Sequence, residues 1–269
     1  MALALPVTCA GLPLLPAPAA ADDPPPLVVH WAPILYHHGE GDPRDDYITC
    51  FDFDGDWDGT YNEENLGSGG HPLIASVYYA VIETETHWYL TYAFFHPLDS
   101  SILAEPGTDA LCILHENDME GVTLTVRKDG SPFGSFRVMA TEAHGDVYYF
   151  KSPGSDVRIG SAYRDPVTGG GGPDSIAYFP RTPSEVAVFI EADGHGVGSQ
   201  YRALSPSGSG AILLGGTVYD IQGRSGLIYH HDGGAGEEPS GAAMEWVRYD
   251  LRSMEDLWSR RHIEAGEAP

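Results

Sequence analysis

The sequence predicts an all-β fold: a single β-sandwich with long loops and a short C-terminal helix. Three observations lead there. Apolar or alternating runs recur along the chain and are bounded by turn signals at short spacing. The composition of 33 Gly, 21 Pro and 15 Tyr suits strands and loops better than helices. Helical patterning is convincing only near the C terminus, in MEDLWSRR at 254–261. With 269 residues the chain can bury a large core.

Taken in order, residues 1–21 are apolar, uncharged and rich in Ala, Leu and Pro, and Ala19-Ala20-Ala21 fits a small-residue signal-peptidase site. The pattern predicts a leader and a secreted or periplasmic protein, although the basic n-region of such leaders is missing. A lipoprotein reading through Cys9 is weaker, because the apolar run before it is short. Residues 22–26 form an acidic, Pro-rich linker expected to stay extended, and residues 27–269 the sandwich domain. Residues 27–36 (LVVHWAPILY) predict a first strand broken at Pro33. Residues 74–83 (IASVYYAVIE) and 87–95 (HWYLTYAFF) predict two strands joined by a hairpin at Thr84-Glu85-Thr86.

Further on, 121–126 alternates as a half-buried strand, and the turn signal Lys128-Asp129-Gly130-Ser131 sends 135–143 (SFRVMATEA) back against it. Residues 147–150 give another short strand. The Gly- and Pro-rich stretch 152–173 predicts an exposed loop. Residues 185–191, 211–221, 227–231 and 245–251 complete about ten strands. No internal repeat and no transmembrane-length apolar run interrupts this pattern.

The net charge of −25, from 39 acidic against 14 basic residues, opposes a nucleic-acid partner, since phosphate binding needs the opposite field. It suits cation binding, and equally a well-solvated acidic surface. Beyond the leader, Cys50 and Cys112 are an even pair that would fit one disulfide in an oxidising compartment; two buried thiols are the alternative.

The chemistry concentrates in His115-Glu116-Asn117-Asp118-Met119-Glu120, at the mouth of the 121–126 strand. Asp118 and Glu120 are two apart and point to one face of an extended backbone. With His115 they can hold a divalent cation and leave positions open. Asp99, His144 and His195 each close a strand-like run, and strand ends gather at a sandwich rim, so they are the candidate additional ligands. A hydrogen-bonded rim residue is the plainer role for either histidine alone. The carboxylates favour Mg, Ca or Mn over Zn.

Asp54, Asp56 and Asp58, followed by Gly59, match the opening of an EF-hand loop and suggest a second cation site. Asn65 stands where the bidentate Glu belongs, so a solvated acidic turn is the alternative. His230-His231 and His37-His38 are weaker ligand candidates, because neighbours on a strand face opposite ways. No nucleophile elbow, zincin helix or phosphate loop is present in the sequence.

Tyr92-Ala93-Phe94-Phe95-His96-Pro97-Leu98-Asp99, followed by His115-x-x-Asp118-x-Glu120, resembles the necrosis- and ethylene-inducing peptide-like (NLP) toxins, whose motif is Gly-His-Arg-His-Asp-Trp-Glu after a strand ending in Asp. It also resembles the vacuolar-protein-sorting-62-like family, to whose later Gly-Ser-His strand end residues 186–196 are similar. The resemblance spans roughly 74–198. It implies that Asp99, His115, Asp118 and Glu120 bind a divalent cation at one end of a β-sandwich. In the toxins that site helps engage sphingolipid head groups. Met119 replaces the motif's Trp, Asn117 its second His, and the Asp99–His115 spacing is about twice as long.

Three functions follow as expectations. The first is recognition of a glycolipid head group, glycan or small polar ligand by an exported metal-binding sandwich, compatible with peripheral membrane contact. The second is a metal-assisted hydrolase of phosphodiesters or esters, with Glu116, Glu120 or His144 as general base. The third is a structural module whose metal only steadies the rim.

Overall fold

The computed structural model describes residues 23–39, 43–100, 102–103, 111–112, 115–143, 146–151, 174–175, 186–190, 192, 194–199, 211–214, 217–220, 226–241 and 245–257. The leader expected at 1–21, the loop at 152–173 and His144 lie outside them. In chain order the elements are α1 (Pro26–Trp31), β1 (Ile34–His38), α2 (Asn62–Ser68), β2 (Ser76–Glu83), β3 (His87–Asp99), β4 (Ile102–Leu103), β5 (Leu111–Cys112), β6 (His115–Arg127), β7 (Ser135–Ala143), β8 (Asp146–Lys151) and β9 (Asp174–Ser175). There follow β10 (Ala187–Ile190), β11 (Val197–Ser199), β12 (Ala211–Leu214), β13 (Thr217–Asp220), β14 (Gly226–His230), β15 (Glu245–Arg248), β16 (Asp250–Ser253) and α3 (Met254–Leu257). No described helix is long and apolar enough to cross a membrane.

Two sheets carry the fold, as the strand pattern predicts. A seven-stranded sheet runs β16-β2-β3-β6-β7-β8-β9, and a five-stranded sheet runs β11-β10-β1-β14-β15. Their facing rows make one core. Leu90, Tyr92 and Phe94 of β3 and Val122, Leu124 and Val126 of β6 recur at every second residue and are buried. Leu35, Val188, Tyr229 and Val247 belong to the same buried cluster from the opposite sheet. Fully burying side chains of this size stabilises by about 1.5–3 kcal/mol each.

Tyrosine hydroxyls fix the layers to one another. Tyr92 Oη donates to the Val28 carbonyl at 2.7 Å, and Tyr249 Oη to that of Pro33 at 2.6 Å. Tyr249 sits where the chain leaves β15, paired with β14, and enters β16, paired with β2, so the segment expected as one strand at 245–251 changes sheets. Likewise 211–221 is a hairpin, Ala211 pairing with Asp220, rather than one strand.

The largest correction is α1. Residues 27–31 form a short helix, with Pro26 in its first turn, a position where a missing N–H costs nothing. Val28 and Trp31, three apart, turn inward together, and Trp31 Nε1 donates to the Phe133 carbonyl at 2.8 Å. Here docking overrides the strand preference of Val28-Val29. The second unforeseen helix, α2, follows the acidic stretch 54–58. At the C terminus α3 covers Met254–Leu257, and 258–261 lie outside the described residues.

Cys50 is a buried free thiol, so the disulfide expected with Cys112 is not made at this residue. Burial pushes its pKa up to about 12, which keeps it protonated and inert. The Cys112 side chain lies outside the described residues.

Candidate metal centre

β3 and β6 pair antiparallel along their full length, from His87 opposite Arg127 to Asp99 opposite His115. The last rung therefore sets a carboxylate beside an imidazole, and His115 Nε2 lies 3.2 Å from Asp99 Oδ2. In regular strand His115 and Asp118, three apart, would face opposite ways. Asn117 prevents this: its φ of 64° is left-handed and interrupts the alternation. Ligand atoms of Asp99, His115 and Asp118 consequently all lie within 4.8 Å of one another.

The donor set fits a divalent cation. Metal–oxygen and metal–nitrogen bonds of about 2.1–2.4 Å put neighbouring octahedral ligands about 3.0–3.4 Å apart, which the Asp99–His115 pair already satisfies. The group is also open on one side. The His115 side chain is 48% exposed, against 10% for Asp99 and 14% for Asp118. Glu120 shares Asp118's face, opposite Phe94, but is not a member of this group.

Asn117 has a second task. Its Nδ2 donates to the Gly59 carbonyl at 2.8 Å, and its Oδ1 accepts from Asn62 Nδ2 at 2.6 Å. Glu116 Oε1 accepts the Glu63 backbone N–H at 2.7 Å. Together they dock the loop before α2 and its first turn against β6. Gly59 permits the close approach, since a Cβ there would come within 2.9 Å of the Asn117 amide. Asn117→Ala is expected to cost about 2–3 kcal/mol, from two lost hydrogen bonds and alanine in the left-handed region. Urea denaturation checks this, and Asn117→Gly, which keeps the backbone freedom, should lose less. Equal losses in both variants would refute the backbone part.

Behind the rim lies a buried layer of histidines. His195 Nδ1 is 2.8 Å from Asp118 Oδ2, and His195 Nε2 is 3.7 Å from Asp46 Oδ1. Burial by itself would lower the His195 pKa, but the hydrogen bond to Asp118 and the nearby charges of Asp118 and Asp46 outweigh it and hold it up to about 9. His195 is thus an imidazolium at neutral pH that braces Asp118, the role of a rim hydrogen-bonding residue. Its φ is 48°, between Gly194 and Gly196.

His37 Nε2 and His96 Nε2 are 3.0 Å apart, and His96 stacks on His195 with ring centroids separated by 3.7 Å. Burial lowers His37 to about 4 and His96 well below its ordinary value, so both are neutral. His37, His96 and His195 form the second group of ligand atoms within 4.8 Å of one another among the described residues. The sequence patterns rank His37 low as a ligand and single out neither His96 nor Asp46. A signal existed for two of them. His37 continues the inward row of Leu35, and His96 that of Leu90, Tyr92 and Phe94, so each is a polar residue in a core position.

Asp54, Asp56 and Asp58 do not converge. Asp54 Oδ1 accepts from Asp56 N at 3.3 Å, Asp56 Oδ1 from Asp58 N at 2.8 Å, and Asp58 Oδ1 from the backbone and hydroxyl of Thr60. Asn65 Nδ2 donates to Asp54 Oδ2 at 2.7 Å. The carboxylates close successive turns, and among the described residues the three form no ligand group. His231 Nδ1 meets the Tyr249 carbonyl at 3.0 Å and His230 packs edge-on to Trp246, so both have structural roles.

No family model matches the chain, and no curated protein matches it. Among solved structures, the chain is similar to one described as a toxin fold for microbial attack and plant defense, with a TM-score of 0.39, 13% identity, and coverage of 85% of this chain and 72% of that one. It is similar to necrosis and ethylene inducing protein 2 from the causal agent of cocoa's witches' broom disease, with a TM-score of 0.37, 16% identity, and coverage of 67% and 70%. A third similar structure is NLPPya in complex with glucosamine, with a TM-score of 0.37, 16% identity, and coverage of 70% and 73%.

Proposed function

We propose that this is an exported protein that binds a divalent cation at the Asp99–His115–Asp118 rim and uses it to recognise a polar surface ligand, a glycolipid head group or glycan. The supporting observation is the convergence of those three side chains on the open end of the sandwich, half of the His115 side chain being exposed. Two carboxylates and one imidazole suit Mg, Ca or Mn, whose remaining positions accept sugar hydroxyls or phosphate oxygens. Asp118, braced by His195, would be the anchoring ligand.

A metal-assisted hydrolase is the second reading, and two observations weaken it. Glu116, a candidate general base, accepts the Glu63 N–H and is committed to holding the α2 loop. His195 is protonated and turned toward carboxylates, so it is no general base either.

The test is binding of glucosamine, mannosamine and glycosphingolipid-containing liposomes with added Mg or Ca, repeated with chelator. Chelation is expected to abolish binding and cation return to restore it. Binding indifferent to chelator would defeat the reading; cation-dependent turnover of phosphodiesters or esters would replace it with hydrolysis.

A further inference from the structure

We propose that the buried imidazoles of His37, His96 and His195 form a second metal site, separate from the rim, that takes a borderline transition-metal dication such as zinc, cobalt, nickel or copper. One ring nitrogen from each residue lies within 4.8 Å of the others, and all three residues are buried. An all-nitrogen donor set selects such ions over magnesium and calcium, which take oxygen.

Two of the three residues, His37 and His195, have the second-layer contacts of metal-ligating histidines. Such residues hand their other ring N–H to a backbone carbonyl or a carboxylate, which fixes the tautomer and turns the bare nitrogen inward. His37 Nδ1 meets the His38 carbonyl at 2.9 Å, leaving Nε2 bare; it now accepts from His96 Nε2 at 3.0 Å, and an ion would take the place of that shared proton. His195 Nδ1 meets Asp118 at 2.8 Å, leaving Nε2, which is fully buried and has no hydrogen-bond partner. His96 turns its Nε2 toward His37, and its other nitrogen, Nδ1, is buried without a hydrogen-bond partner. The 3.0 Å between His37 Nε2 and His96 Nε2 is close to the spacing of about 3.0–3.4 Å for neighbouring nitrogens bonded at about 2.0–2.1 Å.

Two further features make the site chemically complete. The Asp46 carboxylate, buried 3.7 Å from His195 Nε2, and Asp118 supply the negative charge a buried dication needs. His195 now stacks parallel on His96, so it must tilt to share an ion with it. Its place between Gly194 and Gly196 gives the turn that freedom. On binding, the His195 Nε2 proton passes to solvent and the proton that His96 Nε2 donates to His37 moves to His96 Nδ1, so that three nitrogen lone pairs go to the metal.

Metal-stripped protein is titrated with Co2+ in excess Mg2+, following visible ligand-field absorption and calorimetry. His115→Ala, which removes a rim ligand, is expected to keep one tight equivalent with its absorption band. His37→Gln is expected to weaken that equivalent on the order of hundredfold or more. Unaltered Co2+ binding in His37→Gln, or complete loss in His115→Ala, would overturn the inner site. Because these variants separate the two sites, failure of the rim reading leaves this test intact. Should His37→Gln not fold, long-range 15N–1H NMR of the wild-type imidazoles decides. Zn2+-induced shifts of the His37 and His96 ring nitrogens support the site, and unchanged shifts refute it.

Discussion

Replacing Asp118 with alanine is expected to abolish cation-dependent ligand binding and to destabilise the fold at once. Both effects come from the position of one carboxylate between two layers. Outward, it completes the group with Asp99 and His115. Inward, its Oδ2 accepts from the buried His195 imidazolium at 2.8 Å. Removing one partner of a buried pair leaves a charge without its counter-ion. Here the imidazole can release its proton, so the loss is capped near the free energy that now holds the His195 pKa at about 9 instead of 6.5, or about 3 kcal/mol.

A loss of that size lowers Tm by on the order of 10 °C for a domain of this length. Asp118→Asn separates the two roles. The amide oxygen still accepts the His195 N–H, so more of the stability returns, while the charge that attracts the cation is gone. Calorimetric cation titration and thermal melts of both variants check this pair of outcomes. Wild-type cation affinity in Asp118→Ala would remove Asp118 from the site.

The second large effect is a stability maximum near pH 6.5 in metal-free protein, with losses on both sides. On the acid side burial lowers His37 to about 4, against 6.5 when unfolded. Between those values the unfolded chain holds a proton that the folded chain refuses, so stability drops as pH falls. His96, lowered by burial and by its two histidine neighbours, acts in the same direction. On the alkaline side His195, raised to about 9, keeps its proton after the unfolded chain has lost it. Its contribution is complete below about 6.5 and disappears as pH rises through about 9. Each limb is worth about 3 kcal/mol from the shifts of His37 and His195. Urea midpoints across this range measure it, with His195→Gln expected to flatten the alkaline limb and to keep the part of the acid limb that burial causes. A midpoint that keeps rising through pH 9 would contradict the assignment.

How much of this was legible in the chain differs by element. Short-range patterns determined what local chemistry decides. The alternation of β3 and β6, the 84–86 hairpin and the inward rows of the core all follow from side-chain period, because burying one face fixes which residues point inward. His115 and Asp118 were identifiable as a pair of donors, and Asp99 as the carboxylate ending the preceding strand. The docking of α1, the sheet change at Tyr249 and the turns that tie up Asp54, Asp56 and Asp58 were not, since each depends on a partner distant in sequence.

The site divides the same way. That an imidazole and carboxylates crowd the end of one strand is written in residues 115–120. That Asp118 turns to join His115 depends on one left-handed residue, Asn117, held by Gly59 and Asn62 from a loop far back in the chain. That His195 braces Asp118 and faces His37 and His96 depends on β1 and β10 lying side by side across the core from β3. Sequence specifies donors through local periodicity; only packing brings nitrogen and oxygen atoms from four separate segments within bonding reach, because that proximity is set by long-range burial and not by spacing along the chain.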